Sequence, residues 1–183
     1  MELTGEVSIF GIRFRSGGAY PFLEVPLKNL TDKAAGLLHI SKRVARELDS
    51  DRLSEALYNL DFSALDNCLS EYVNDSSRVD ELVKEAVSLL RTNHGNMPIS
   101  DVVRYLECNE RTLQRGFLKH VGLTPKYFGR VTRIQSATRI IKSASQARYV
   151  SIAYDLGYFD QAHFIKDFKS IMGITPVDYG ILL

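Results

Sequence analysis

Apolar positions in the second half of the chain recur every three or four residues, in separate blocks. In "SSRVDELVKEAVSLLRTNHG" the stripe is Val79, Leu82, Val83, Ala86, Leu89 and Leu90. Ser77 offers a cap, Asp80 and Glu81 stand in the first turn, and Gly95 closes the end, so the block predicts an amphipathic helix. Next come a short helix over Ile99–Leu106, the turn "ECN" and a second helix over "ERTLQRGFLKHV", closed by Gly122. "TPKYFGRVTRIQSATRIIKS" then carries Phe128, Val131, Ile134, Ala137, Ile140 and Ile141 at helical spacing from Pro125 to about Ser143.

The first half is patterned differently. Ile9 or Phe10, Ile12 and Phe14 alternate, and "SGG" and "YP" punctuate the stretch after Phe14, which predicts a strand and turn. One strand cannot close a core, so residues 1–47 are expected to be the remnant of a larger domain, unless the opening packs on the helices that follow. Leu53, Ala56, Leu57 and Leu60, then Phe62, Leu65, Leu69 and Val73, predict two short helices that make 48–74 a helical linker. The fold class expected is mainly α, with a small β/helical N-terminal segment.

One phrase is written twice. Gly122–Phe128 reads "GLTPKYF" and Gly173–Tyr179 reads "GITPVDY", 51 residues apart. Gly ends a helix in the left-handed conformation, Thr caps the next, and Pro suits its first turn, so each phrase is a corner between helices. The repeat extends upstream: Leu113 pairs with Phe164, Arg115 with Lys166 and Phe117 with Phe168 at the same offset, and Val102 and Val103 with Ile152 and Ala153 at 50. Each copy is a short helix, a turn and a longer helix, with Gly157 at the second bend, hence a helix-turn-helix. Residues 75–183 are expected to form two such units joined by a long helix.

Composition narrows the functional classes. The 183 residues are 45% apolar and 25% charged, ordinary for a folded protein. No apolar run approaches a membrane span, and "MELTGEVSIF" lacks the features of a signal peptide, so a cytoplasmic protein without a membrane partner is expected. Cys68 and Cys108 lack metal or redox spacing and read as reduced core residues, and His39, His94 and His120 share no spacing with acids or thiols. No nucleophile, base or metal cluster suggests an enzyme, and no cofactor is implied. The net charge of +1 hides −3 over residues 1–74, +4 over 75–183 and +8 within 111–169, which points to a polyanion.

The faces of the longer helices suggest which polyanion. With Leu113, Phe117 and Val121 inward, Arg111, Gln114, Arg115 and Leu118 face out; with Phe164 and Phe168 inward, Gln161, Ala162, Ile165, Lys166 and Lys169 face out. Arg, Gln and Lys hydrogen-bond base edges in the major groove, and Ala or Ile can meet a thymine methyl. The connecting helix would span ~28 Å at 1.5 Å per residue, suited to holding two reading helices against major grooves about 34 Å apart. A helical protein-binding module anchored on Leu118 and Ile165 stands as the alternative, as does a DNA-binding fragment of an effector-sensing regulator without sequence specificity of its own.

These residues resemble the AraC/XylS-type transcriptional regulators. The resemblance covers Ile99 to Tyr179 and is strongest in "SIAYDLGYFDQAHFIKDFKSIMGITPVDY", through Ala153, Gly157, Tyr158, Asp160, Gln161, His163, Phe164, Lys166, Phe168, Lys169, Gly173, Thr175, Pro176 and Tyr179. The first copy agrees through Arg111, Thr112, Leu113, Arg115, Phe117, Gly122, Pro125, Phe128, Arg133 and Ala137. It departs at Glu107, where Gly is usual in the turn, at Val103, where Ala is usual, and at Gly116 inside the helix, at a cost of up to ~1 kcal/mol. "GIRFRSGGAYPFLEVPLKNLTD" is similar to the end of the sensor domain of one branch.

The resemblance implies base reading by Arg111, Gln114 and Arg115 in one groove and by Gln161, Ala162 and Lys166 in the next. Lys126, Arg130, Lys142 and Lys169 are weaker candidates for phosphate contacts. Partners implied are double-stranded promoter or operator DNA, RNA polymerase, a second copy of the chain as a homodimer, and an unspecified small-molecule effector. Asp160 is expected to cap the second reading helix, His163 to cap or pack it with a base or phosphate contact as the alternative, Arg133 to form a structural ion pair with an acid, and Tyr127 and Tyr158 either to touch phosphates or to pack in the core or at its rim.

Overall fold

The computed structural model describes residues 11–23, 25–47, 80–143 and 149–182, with pairs of positions between 58 and 70. The chain forms two units: residues 1–80 with 119–122, and residues 81–118 with 123–183.

Among its described residues the first unit contains two single 3-10 turns, Tyr20–Phe22 and Leu27–Asn29, and helices α1 (Leu37–Ile40) and α2 (Lys42–Glu47). Ser41 caps α2, its Oγ accepting from the Val44 N–H at 3.3 Å. Phe22 and Val44 are buried together with Leu69 packed on them, and the Phe14 ring lies 5.0 Å from that of Phe22. The strand expected up to Phe14 does not form among the described residues. Residues 11–15 are without regular structure, no strand occurs elsewhere among the described residues, and 1–10 lie outside them. Alternation alone does not make a strand, which needs a ladder partner for its N–H and C=O groups. The linker helices expected over 48–74 lie almost wholly outside the described residues, though Tyr58, Asn59, Ser63, Asp66, Asn67, Leu69 and Ser70 are helical.

Still within the first unit, the His120 ring is buried and lies 4.1 Å from the ring of Tyr20, over which Lys119 Nζ sits at 5.5 Å. Burial, then the charge of Lys119, lowers the His120 pKa, while Asp80 pulls it upward.

The second unit is helical among its described residues. It comprises α3 (Glu81–Thr92), α4 (Ile99–Tyr105), α5 (Glu110–His120, whose last residues group with the first unit), α6 (Pro125–Ser143), α7 (Tyr149–Asp155), α8 (Gln161–Met172) and α9 (Pro176–Ile181). The α3 stripe is Val83, Ala86, Val87 and Leu90; Leu82 and Leu89 are half-buried at its edges and Val87 replaces them. Val79 and the Ser77 cap lie outside the described residues.

Helix α6 is the spine, packed against α3, α7, α8 and α9. Because it is covered on several sides, Phe128, Thr132, Ile134, Ser136, Ala137 and Ile141 are all buried. Ser136 Oγ lies 3.2 Å from His94 Nδ1. Phe128 meets Phe117 of α5 edge-on at 5.7 Å, with Leu113 and Val102 buried in the same copy. Ile134, Ala137 and Ile141 join Ile152, Ala153, Leu156, Tyr158, Phe164 and Phe168 in the core of the second copy.

The loop after α3 is pinned to α6 by a close crossing. Gly95 closes α3, its N–H donating to Leu90 O at 2.7 Å, in the left-handed conformation at φ 77°. A Cβ there would lie 2.1 Å from the carbonyl oxygen of Gly129. Arg133 fixes the crossing by donating to Gly95 O at 2.8 Å.

Both repeated phrases are corners, as expected. Gly122 and Gly173 take φ 87° and 79°. Thr124 Oγ1 accepts from Tyr127 N–H at 3.2 Å, and Thr175 Oγ1 from Asp178 N–H at 3.2 Å. The second corner is the stronger, because Asp178 reaches back to Thr175 and completes a capping box.

Substitution at two of these glycines should have unequal costs. Gly95→Ala adds left-handed strain to overlap with backbone and is expected to cost about 2–5 kcal/mol of unfolding free energy. Gly173→Ala, where nothing lies within 4 Å of the new Cβ, pays the strain alone, about 1–2 kcal/mol. Denaturant titration of both variants separates the two. For His120, the unfolded imidazole titrates near 6.5 and the folded one lower, so the unfolded chain binds the extra proton. Stability is therefore expected to fall as pH drops below about 6.5 towards the folded value, and the fall between pH 7.5 and 5.5 should be smaller in His120→Gln.

Candidate nucleic-acid interface

Each copy in the second unit presents a longer helix whose first turn is capped by a side chain. Asn109 Oδ1 accepts from Thr112 N–H at 2.7 Å before α5, and Asp160 Oδ1 from His163 N–H at 2.6 Å before α8. The caps sit at the same place in the repeat, and Asp160 caps as the sequence predicts. The preceding turns both need a left-handed residue. Gly157 supplies it at φ 71° in the second copy, whereas Glu107 adopts φ 48° in the first. The departure at Glu107 thus keeps the backbone of the turn at a strain of about 1–2 kcal/mol.

Inward stripes fix which side chains face out. Leu113, Phe117, Phe164 and Phe168 are buried, and Arg111, Gln114 and Arg115 of α5 and Gln161, Ala162 and Lys166 of α8 are all exposed. Lys126, Lys142 and Lys169 are exposed too. Leu118 and Ile165 are not the outward residues the helical wheel suggests. Both are half-buried, and Ile165 packs on the core of the second copy, because a residue beside the stripe still leans on its edge.

Arg130 is turned inward. Its Nε donates to Asp167 Oδ1 at 2.8 Å, an Nη donates to the same oxygen, and that Nη also donates to Ser170 Oγ at 3.1 Å. Asp167 receives a further bond from the buried Tyr158 hydroxyl at 2.8 Å. The Asp167 side chain is 8% exposed and that of Arg130 37%. The Tyr158 pKa is raised, first by burial and then by its bond to Asp167; the same carboxylate raises that of Arg130. This network ties α6 to α8. Sequence reasoning missed it, although an acid three residues after Phe164 and next to Phe168, on the buried side of α8, was a signal.

Arg133 also has a structural place, without the expected acid. It donates to Gly95 O, and its guanidinium lies 5.0 Å over the Tyr158 ring. His163 is exposed with its ring edge-on to Tyr158 at 5.3 Å. Tyr127 is exposed and lies under Arg130 at 5.5 Å, at the rim and not in the core. Cys108, in the first turn, is a half-buried free thiol whose pKa burial raises; Cys68 lies outside the described residues. A cleft of about 680 Å³ opens between the loop after α3, α5, the start of α6 and α8, lined among others by Asn96, Gln114, Lys126, Arg130 and His163. Among the described residues no helix is long and apolar enough to cross a membrane.

Comparison with known proteins agrees with this geometry. Residues 102–180 match the family described as a helix-turn-helix domain, and residues 1–35 match one described as a domain of unknown function. An uncharacterized HTH-type transcriptional regulator of Haemophilus influenzae is 26% identical over 131 residues, 70% of this chain and 44% of that protein. The uncharacterized HTH-type transcriptional regulator YidL of Escherichia coli is 29% identical over 97 residues, 51% of this chain and 32% of that protein. The chain thus spans less than half the length of the curated relatives it matches.

Among solved structures, a transcriptional regulator from Chromobacterium violaceum, described by its AraC-type DNA-binding domain, superposes with TM-score 0.51 at 24% identity, covering 55% of this chain and 90% of that one. The C-terminal domain of AraT, a response regulator from Geobacillus stearothermophilus, gives 0.52 at 21% identity, covering 58% and 89%. These likenesses show the fold.

Removing the network's centre has a graded cost. Asp167→Ala is expected to lower the unfolding free energy by about 1–3 kcal/mol, less than a fully buried pair, because Arg130 can rehydrate. Tyr158→Phe should cost about 1–2 kcal/mol. The double variant should lose less than the sum, since both act on one carboxylate, and a urea double-mutant cycle measures the difference.

Proposed function

We propose that this chain, whose residues 102–180 match a helix-turn-helix domain family, is a sequence-specific DNA-binding transcriptional regulator of the AraC/XylS type that reads two adjacent major grooves. The observation that carries the reading is the pair of capped, outward-facing helices, each with exposed Arg, Gln or Lys near its start, on one continuous α6. Helices of this kind enter the major groove by their N-terminal residues.

In this reading Arg111, Gln114 and Arg115 meet base edges in one groove, and Gln161 and Lys166 do so in the next, with Ala162 against a thymine methyl. Lys126, Lys142 and Lys169 neutralise phosphates and set register without specifying sequence. Arg130 acts as a positioning residue, because its guanidinium is taken up by Asp167 and Ser170. Residues 1–47 belong to a sensor-like domain for a small-molecule effector, and 48–74 link it to the double helix-turn-helix over 75–183. Output would pass through RNA polymerase or a second copy of the chain.

Selection of bound duplexes from a random pool by the whole chain, at two salt concentrations, tests the reading. A motif with two halves one helical turn apart is expected, with affinity falling by about 0.9 in log K per log salt for each phosphate neutralised. Weak, salt-insensitive retention without enrichment sinks it in favour of a protein partner. Arg115→Ala and Lys166→Ala should each relax preference in a different half by ~1–3 kcal/mol, whereas a uniform loss over all sequences would make either one a phosphate contact.

A further inference from the structure

At the entrance to the second reading helix stands an aromatic ring in water. Phe159 is 90% exposed, between the buried Tyr158 and the capping Asp160. A lone exposed apolar side chain needs no explanation on an ordinary surface. Here its position is the point. Tyr158 is anchored inward through Asp167 and beneath Arg133, and Asp160 is fixed by its cap to His163. Those anchors hold the intervening residue outside the core, two residues before Gln161, at the end of α8 that enters a groove.

The first copy is built differently at this place. The residue before its cap, Asn109, is Cys108, smaller and half-buried. The second turn is also one residue longer: Cys108 follows the left-handed Glu107 as Tyr158 follows Gly157, their N–H groups donating to Val103 O and Ala153 O, so Phe159 is the extra residue before the cap and is not required by the helix-turn-helix itself. The ring carries no donor or acceptor for a phosphate oxygen or a base edge. A groove offers such a ring the C5-methyl group of thymine.

We propose that Phe159 is a specificity-determining residue that packs on a thymine methyl at the outer end of the second half-site. The proposal rests on the two-groove reading. It makes the two half-sites unlike: the second carries an apolar determinant that the first lacks.

The experiment uses the whole chain and the duplex selected from the random pool. Each thymine in and beside the second half is replaced in turn by deoxyuridine, which removes the methyl alone. At one position the wild-type chain is expected to lose about four-fold in affinity, the worth of one buried methyl. Phe159→Ala should lose the same factor on the thymine duplex and be indifferent to deoxyuridine there, while Phe159→Leu should keep part of the discrimination. Unchanged thermal unfolding of both variants, expected for so exposed a ring, keeps folding out of the result. The proposal is overturned if no thymine in the second half shows a penalty, or if the penalty persists undiminished in Phe159→Ala. A pool that yields two halves without this penalty overturns the methyl contact alone; a pool that yields no two-part motif overturns the reading beneath it as well.

Discussion

The Asp167 carboxylate, nearly out of water inside the second unit, governs how α8 can be presented. A buried charge is tolerable only when its lone pairs are met, and here the Arg130 fork takes one oxygen while the Tyr158 hydroxyl takes the other. Each bond fixes a different neighbour. Arg130 belongs to α6, so α8 is held against the long helix; Tyr158 precedes the Asp160 cap, so the turn that starts α8 is held as well. The outward direction of Gln161, Ala162 and Lys166 follows from an inward-facing acid on the same helix.

Among the described residues the first copy lacks this device and relies on apolar packing and a tight crossing. Phe117 against Phe128 and the crossing of Gly95 with Gly129 hold it on α6. Its turn carries a strained Glu107 and its α5 a Gly116. Its corner has Tyr127 where the other copy has the capping-box Asp178. Each difference is small, about 1–2 kcal/mol or less, but all run the same way. Physically the second copy is the more firmly preorganised of the two.

Whatever repeats or punctuates could be read from the sequence. The corners, the cap at Asp160, the stripes of Leu113, Phe117, Phe164 and Phe168, and the outward facing of Arg111, Gln114, Arg115, Gln161, Ala162 and Lys166 all follow from spacing and turn chemistry. Partnerships between distant residues could not be read that way. Arg130 looks like any basic residue on a basic helix until Asp167, 37 positions away, is brought beside it. Arg133, between apolar neighbours, suggests an acid as its partner, yet that partner is a carbonyl that only the Gly95 crossing supplies. Leu118 and Ile165 show the limit of a helical wheel, which sorts residues by angle and not by what stands next to them. Residues 11–15, irregular despite Ile12 and Phe14, show that a pattern proposes a strand but a ladder partner makes one.

The same partnerships change what the charge of +8 over residues 111–169 means. Two of its arginines, Arg130 and Arg133, are spent inside the fold, one on a carboxylate and one on a carbonyl and an aromatic face. A planar guanidinium suits such tasks, since its donors are rigidly forked and it stacks on rings, whereas an ammonium is a strongly hydrated point charge. Lys126, Lys142 and Lys169 stay in water accordingly, and in the proposed reading phosphates would ask no more than a point charge of them. Arg111 and Arg115 are the exposed arginines of α5, where, in the proposed reading, their forks would match the paired acceptors of guanine. The division among these arginines and lysines therefore follows the geometry of their surroundings, and net charge alone does not reveal it.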